Sequence, residues 1–229
     1  MIRAAACFAL TAFLALGPPS GRAAAAEVPE AVLVLEAAVA LPGRVPGAAP
    51  PRFVLLRDGR VFVGGSDSVY AGRLDGDSED AIEDRVKELR KAGLLVPAVA
   101  FGDDLSKRYR LRVLEDGPVD VVVTGDPSDA APAQQPLAAF LGDLLRFHHP
   151  SLQPFAPDAY ALSAREGLLV GGCRTWTFSV PVEEALSSPR RVPAAETERW
   201  PTGADPASVC ADGRRLVVTL RPLLPGETP

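Results

Sequence analysis

Asp58-Gly59 sits between two short β-prone runs, residues 53–57 and 60–63, and this pair constrains the fold more than any other feature of the chain. An Asp-Gly between apolar strands is the strongest short-range hairpin signal, because a type I′ turn needs positive φ at both central positions. The expectation is a tight I′ hairpin ended by Gly64-Gly65. A second pair of runs, residues 108–115 and 119–124, is joined through Asp116-Gly117-Pro118. A three-residue loop there sets Leu111 and Val113 opposite Val123 and Val121, with Arg110 and Arg112 sharing the other face with Asp120, Val122 and Thr124. Residues 69–74 and 31–41 offer two further strands, the latter ahead of a Pro/Gly-rich loop at 42–51.

A helix is expected after each hairpin. Asp77 or Ser78 can cap the first, whose Ile82, Val86 and Leu89 follow helical spacing up to Gly93. Pro136 suits the first turn of the second, where Leu137, Phe140, Leu141, Leu144 and Leu145 form an apolar stripe and Pro150 is the stop. The order hairpin, helix, hairpin, helix implies an α+β fold: an antiparallel sheet built from hairpins with two helices packed on one face. From about residue 154 the chain becomes proline-rich with short β-prone runs at 168–170, 174–180 and 215–220 and one helical turn at 183–187, a β-rich C-terminal part.

The N-terminal residues read as an export signal. Arg3 is followed by an apolar run over residues 4–16, too short to span a bilayer, and the alanines at 23–26 offer cleavage before Glu27. The expected organisation is a signal peptide over 1–26, an α+β unit over 27–153 and the β-rich part over 154–229, either separate or packed into the same domain. The expected location is the periplasm or the extracellular space. Without the signal the chain holds 22 basic and 29 acidic residues, a net charge of about −7, which argues against nucleic acid as a partner. No later stretch is long and apolar enough for a transmembrane anchor.

The stretch F-x-L-x-x-D-G-x-V-x-x-x-G, here Phe53, Leu55, Asp58, Gly59, Val61 and Gly65, resembles a family of uncharacterised bacterial extracytoplasmic domains built from DG-hairpins and helices. The resemblance covers about residues 53–147. It implies a small α+β domain and carries no functional residues with it.

Cys173 and Cys210 are the two cysteines left after signal removal, an even number that predicts one disulfide in an oxidising compartment. The bridge is expected to tie a strand start to a loop. Arg108, Arg110 and Arg112 repeat at period two on one strand face, a cationic ladder able to hold a carboxylate or phosphate through forked hydrogen bonds. His148 and His149 are the only histidines; His148 continues the helical stripe and reads as a half-buried group at the helix end and a candidate binding residue. A hydrolase would use His148 or His149 with Asp143, Asp158 or Glu166. A cysteine enzyme on Cys173 has no asparagine to orient its base, and no serine has an elbow motif. The acidic run 75–80 lacks the glycine and terminal glutamate of a calcium loop. Trp200 is either an exposed partner contact or packs on Trp176. No motif calls for a metal or cofactor. The sequence favours a non-catalytic binding or structural domain of the cell envelope, with an anionic ligand or an envelope protein as partner; the alternatives are the hydrolase and a protein-partner module that uses a sheet edge.

Overall fold

The computed structural model describes residues 30–39, 50–64, 68–104, 106–169 and 171–229. Residues 1–26, read above as an export signal, Gly65 and most of the expected 42–51 loop lie outside them. Strands β1 (Ala31–Val39), β2 (Phe53–Leu56), β3 (Arg60–Gly64) and β4 (Val69–Arg73) run as an antiparallel meander. Helix α1 (Gly76–Lys91) follows, then β5 (Ala98–Phe101), β6 (Lys107–Val113) and β7 (Val119–Gly125), helix α2 (Gln135–Leu145) and the two-residue β8 (Gln153–Pro154). These strands form one eight-stranded sheet in the order β5-β7-β6-β1-β2-β3-β4-β8, antiparallel throughout except for β5 against β7. The architecture is α+β, as the alternation of hairpins and helices implies.

Both helices bury their stripes on the same sheet face. Leu137, Phe140, Leu141 and Leu144 of α2 and Leu89 of α1 join Leu33, Leu35, Phe53, Leu55, Leu111 and Val121 in one core. Each fully buried leucine contributes about 1.5–3 kcal/mol of transfer free energy. Asp75 caps α1, one turn-start earlier than Asp77 or Ser78 would, because its carboxylate accepts the Ser78 N–H at 2.8 Å. Helix α2 ends at Leu145, ahead of Pro150, and Phe147 then turns in edge-on to Phe53 at 4.9 Å.

The two hairpins depart from the expected turns for identifiable reasons. Leu55 pairs with Val61, so residues 57–59 form a three-residue loop in which Gly59 alone has positive φ (78°). Asp58 stays out of the left-handed region while its carboxylate accepts from Arg60 Nε (2.8 Å) and from the Arg60 backbone N–H (3.2 Å). In the second hairpin Val113 pairs with Val119 and Leu111 with Val121, a shift of two residues from the expected register that leaves every side chain on the expected face. The loop is wide because the Arg90 guanidinium of α1 gathers its carbonyls, donating to those of Glu115 (3.2 Å), Asp116 and Gly117 (2.9 Å).

The rest of the chain forms a second sheet. Strand β9 (Ala159–Glu166), two-residue β10 (Arg174–Thr175), helix α3 (Val182–Ser187), β11 (Arg190–Pro193), β12 (Gly203–Ala211) and β13 (Arg214–Pro222) give the order β10-β12-β13-β9-β11. The run at 174–180 is a strand for only two residues. Beyond Thr175 the Trp176 indole N–H donates back to the Val180 carbonyl at 2.9 Å, closing a loop. Residues 168 and 169 are not in a strand. Leu162, Val209, Leu216, Val218 and Leu220 pack with Ala185, Phe178 and Trp200 into a separate core.

The second face of the large sheet divides in two. Over β1 to β4 it is apolar, and Phe155 and Leu224 pack on Val34, Val54, Leu56, Phe62 and Val69. Over β6 and β7 it carries the arginines.

Candidate functional site

Period two does place Arg108, Arg110 and Arg112 on one face of β6, but neighbouring acids engage two of them. Arg110 forks onto Asp120 (Nε to both carboxylate oxygens at 3.0 Å), and Arg112 donates to Glu36 of β1 at 2.8 Å. The Arg110 bond holds the Asp120 carboxyl below the usual carboxylate range, with Arg112 adding to the effect. Asp120 stands directly opposite Arg112 and reaches Arg110 on the diagonal. Arg108 is exposed, and among the described residues no acid pairs with it. The ladder is therefore largely a neutral charge lattice, with one open cation at its end.

The rows across the sheet continue outward from these arginines. Arg108 pairs with Thr124, which pairs with Ala100 of β5; Arg110 pairs with Val122, which pairs with Ala98. Strand β5 is the outermost strand. The Pro97 carbonyl accepts the Val122 N–H at 3.0 Å, so residues 97, 99 and 101 direct their backbone groups to β7, while Ala98 and Ala100 direct theirs away from the sheet. Gly125 makes the close pairing possible: with φ 98° it lies beside Phe101, whose carbonyl oxygen would be 1.8 Å from a Cβ at that position. The side chains of Ala98 and Ala100 are exposed, Val99 is half-buried on the core, and Val96 just before the strand is 42% exposed.

The histidines separate. His148 is exposed beyond the end of α2, where the stripe has already stopped, so it is no half-buried cap. His149 is 13% exposed, with Nε2 at 3.5 Å from Asp75 and Nδ1 at 2.7 Å from Ser151 Oγ. Asp143 pairs with Arg85 and Glu166 with Arg214, and neither reaches a histidine. Asp158 is fixed through its backbone carbonyl, which accepts from Ala194. The serine, histidine and aspartate form a structural lock. Ser151 Oγ accepts the Arg73 N–H (3.1 Å), Nδ1 also accepts the Ser151 N–H (3.2 Å), and Ser151 packs so tightly on Gly72 that a Cβ there would meet Oγ at 2.5 Å. With Nδ1 accepting, the proton sits on Nε2 facing Asp75, the N-cap of α1. The cluster thus ties the exit of α2 to β4 and to the start of α1, and it lines neither the hollow between α1 and the sheet nor the one beside Trp176.

Cys173 and Cys210 form the expected disulfide, with a Cα–Cα distance of 5.4 Å. Cys210 lies inside β12, not in a loop, and pairs with Thr175 of β10, so the bridge ties the residue just before β10 to the parallel strand beside it. Trp200 is buried, stacked on Phe178 at 4.6 Å, and meets Trp176 only through that ring. Two features had no sequence signal: Ala-Val-Ala-Phe is too short to announce a strand, and Asp75 and Ser151 come together only in the fold. No helix among the described residues is long and apolar enough to cross a membrane. Comparison of the chain with protein-family models, with curated proteins and with solved structures finds no match in any of the three.

Proposed function

We propose that this chain is a non-catalytic binding domain of the bacterial cell envelope, working outside the cytoplasm, which takes a partner polypeptide as an added strand on β5. The carrying observation is the contrast among the four sheet edges. Strand β8 has two residues and ends in Pro154, β10 has two, and β11 carries Arg190, Arg191 and Pro193. Each is short, charged or proline-blocked, as edges that must not pair are. Strand β5 has four uncharged residues, without proline, and its outward backbone groups at Ala98 and Ala100 have no neighbouring strand among the described residues. An added strand would meet Val99 on the core side, and on the other side a shelf of Ala98, Ala100, Val122 and Thr124 leading to Arg108. That pattern suits an extended segment alternating apolar and acidic residues. The Cys173–Cys210 bridge and the export signal support an oxidising compartment.

The test is capture of partners from an envelope extract by the oxidised chain and by Ala100→Pro, which removes one outward N–H and leaves the bonds to β7. The expected result is loss of the partner in the variant, and slowed hydrogen exchange at Ala98 and Ala100 in the wild-type complex. Equal capture, or protection elsewhere, overturns the reading. The hydrolase reading keeps one favouring contact, His149 to Ser151, and requires that a fluorophosphonate label Ser151; no labelling removes it.

A further inference from the structure

A second candidate site lies in the smaller sheet, away from β5. Beside the disulfide is an open hollow of about 450 Å³ whose walls include Thr175, Trp176, Phe178, Pro181 and Asp212. Its position follows from topology. Parallel pairing sets Arg174 beside Val209 and Thr175 beside Cys210, so the chain leaving β10 and the chain leaving β12 carry Trp176 and Asp212 to the same end of the sheet. The disulfide joins the entry of β10, at Cys173, to Cys210 near the exit of β12, and Cys210 itself lines the hollow.

The aromatic wall is fixed before any ligand arrives. The Trp176 indole N–H is already bonded to the Val180 carbonyl, and Phe178 braces the ring edge-on at 5.2 Å and 76°. Phe178 in turn stacks on Trp200, whose N–H is held by Thr177 Oγ1 at 3.2 Å. At the inner end of this three-ring stack the Arg174 guanidinium sits 5.8 Å from the Trp200 centroid, the ring electrons already attracting a cation there. Among the described residues no cation lies over Trp176, which is half-buried at the outer end.

The charge in the hollow has one sign. Asp212 is the single charged residue lining it. Its nearest cation, Arg214, is shared among three carboxylates: Glu183 in a hydrogen bond, Glu166 at 3.6 Å and Asp212 farthest at 3.9 Å. The Asp212 side chain is 74% exposed and held by a left-handed backbone (φ 50°) at the β12–β13 turn. A rigid indole and a weakly compensated carboxylate lining one hollow attract positive charge and repel an anion.

We propose that this hollow binds an organic cation, an alkylammonium group lying over Trp176 with Asp212 as its counter-charge. The group belongs either to a free small molecule or to a lysine side chain on a peptide. The test titrates the oxidised full chain, in separate arms, with choline, with Nα-acetyl-lysine methylamide and with glucose, following the Trp176 indole N–H by NMR. Saturable shifts in the millimolar range are expected for at least one cation, and the arm that binds more tightly identifies the source. Glucose is expected to give none. Asp212→Asn, which suits the same backbone, should keep the fold by circular dichroism and weaken cation binding about fivefold. The inference is overturned if neither cation saturates by about 0.1 M, if glucose shifts the signal equally, or if the folded Asn variant binds as tightly as wild type.

Discussion

The large sheet and the small one are both hairpin sheets with one outer strand added in parallel, yet they protect their cores by different means. The large sheet lies under α1 and α2, sixteen and eleven residues long, whose apolar stripes cover a face running across six strands. Over the small sheet the only α-helix among the described residues is α3, of six residues, and much of the remaining cover is the Trp176, Phe178 and Trp200 stack with a disulfide at its margin. Where a helix is too short to supply a stripe, aromatic side chains and a covalent staple occupy the place. Each aromatic side chain buries more area than an aliphatic one, so a loop of few residues can do the work of two helical turns.

Four experiments would sharpen or break this contrast. The largest effect is expected from Phe53→Ala, which empties a fully buried site at the centre of the large core and should cost about 3–5 kcal/mol in chemical denaturation. A loss under about 1 kcal/mol would mean that the helix layer, unlike a packed core, collapses freely around the gap. Next, Cys173→Ser with Cys210→Ser opens a loop of 37 residues and should cost about 2–4 kcal/mol. Hydrogen exchange should quicken in β12 and β13 and stay slow in β1 and β6. Uniform quickening would show that the two sheets open as one cooperative unit. Gly125→Ala forces a Cβ toward the Phe101 carbonyl and should cost about 1–3 kcal/mol, read as faster exchange of the Val99 and Phe101 amides alone.

The smallest effect is electrostatic. The carboxyls of Asp120, on β7 and bonded to Arg110, and of Asp126, just beyond the end of β7 and bonded to Lys107 and Ser128, are held below the ordinary range. A group with a lowered folded pKa contributes stability above its unfolded value of about 3.9 and loses it as pH falls through the folded value. Acidification below about pH 4 should therefore loosen β6 and β7, and Asp120→Asn should flatten the fall in Tm. Asp120 is exposed and Asp126 partly so, and the change is modest. An Asn variant that loses Tm as steeply as wild type removes Asp120 from the account.

What the sequence discloses follows the range of the interactions involved. The stripe of α2 and the faces of β6 and β7 are legible because their periods, 3.6 and 2, are properties of the local backbone. The register of that hairpin is not, because its loop is set by Arg90, a residue of another element. The arginine ladder is legible as a pattern, but its neutralisation by Glu36 is not, because the partner is brought in from β1, 76 residues away. The alternation at 174–180 is real and misleads: the aromatic rings do face one way, toward each other and not from a continuous strand. Ser151 is a local neighbour of His149, but Asp75 is 74 residues earlier and meets it only once α2 has been laid across the sheet.

The cover on the back of the large sheet also has a consequence in time. Strands β1 to β4 are made and delivered first, with Val34, Val54, Leu56, Phe62 and Val69 facing away from the helices, and Leu224 reaches them only when nearly all of the described chain has followed. Until Phe155 and then Leu224 arrive, the nascent half-protein shows an incompletely covered hydrophobic sheet to its surroundings. Its maturation after synthesis has a vulnerable interval, in which a holding chaperone would be of most use, and a chain cut short before Leu224 would remain in that state.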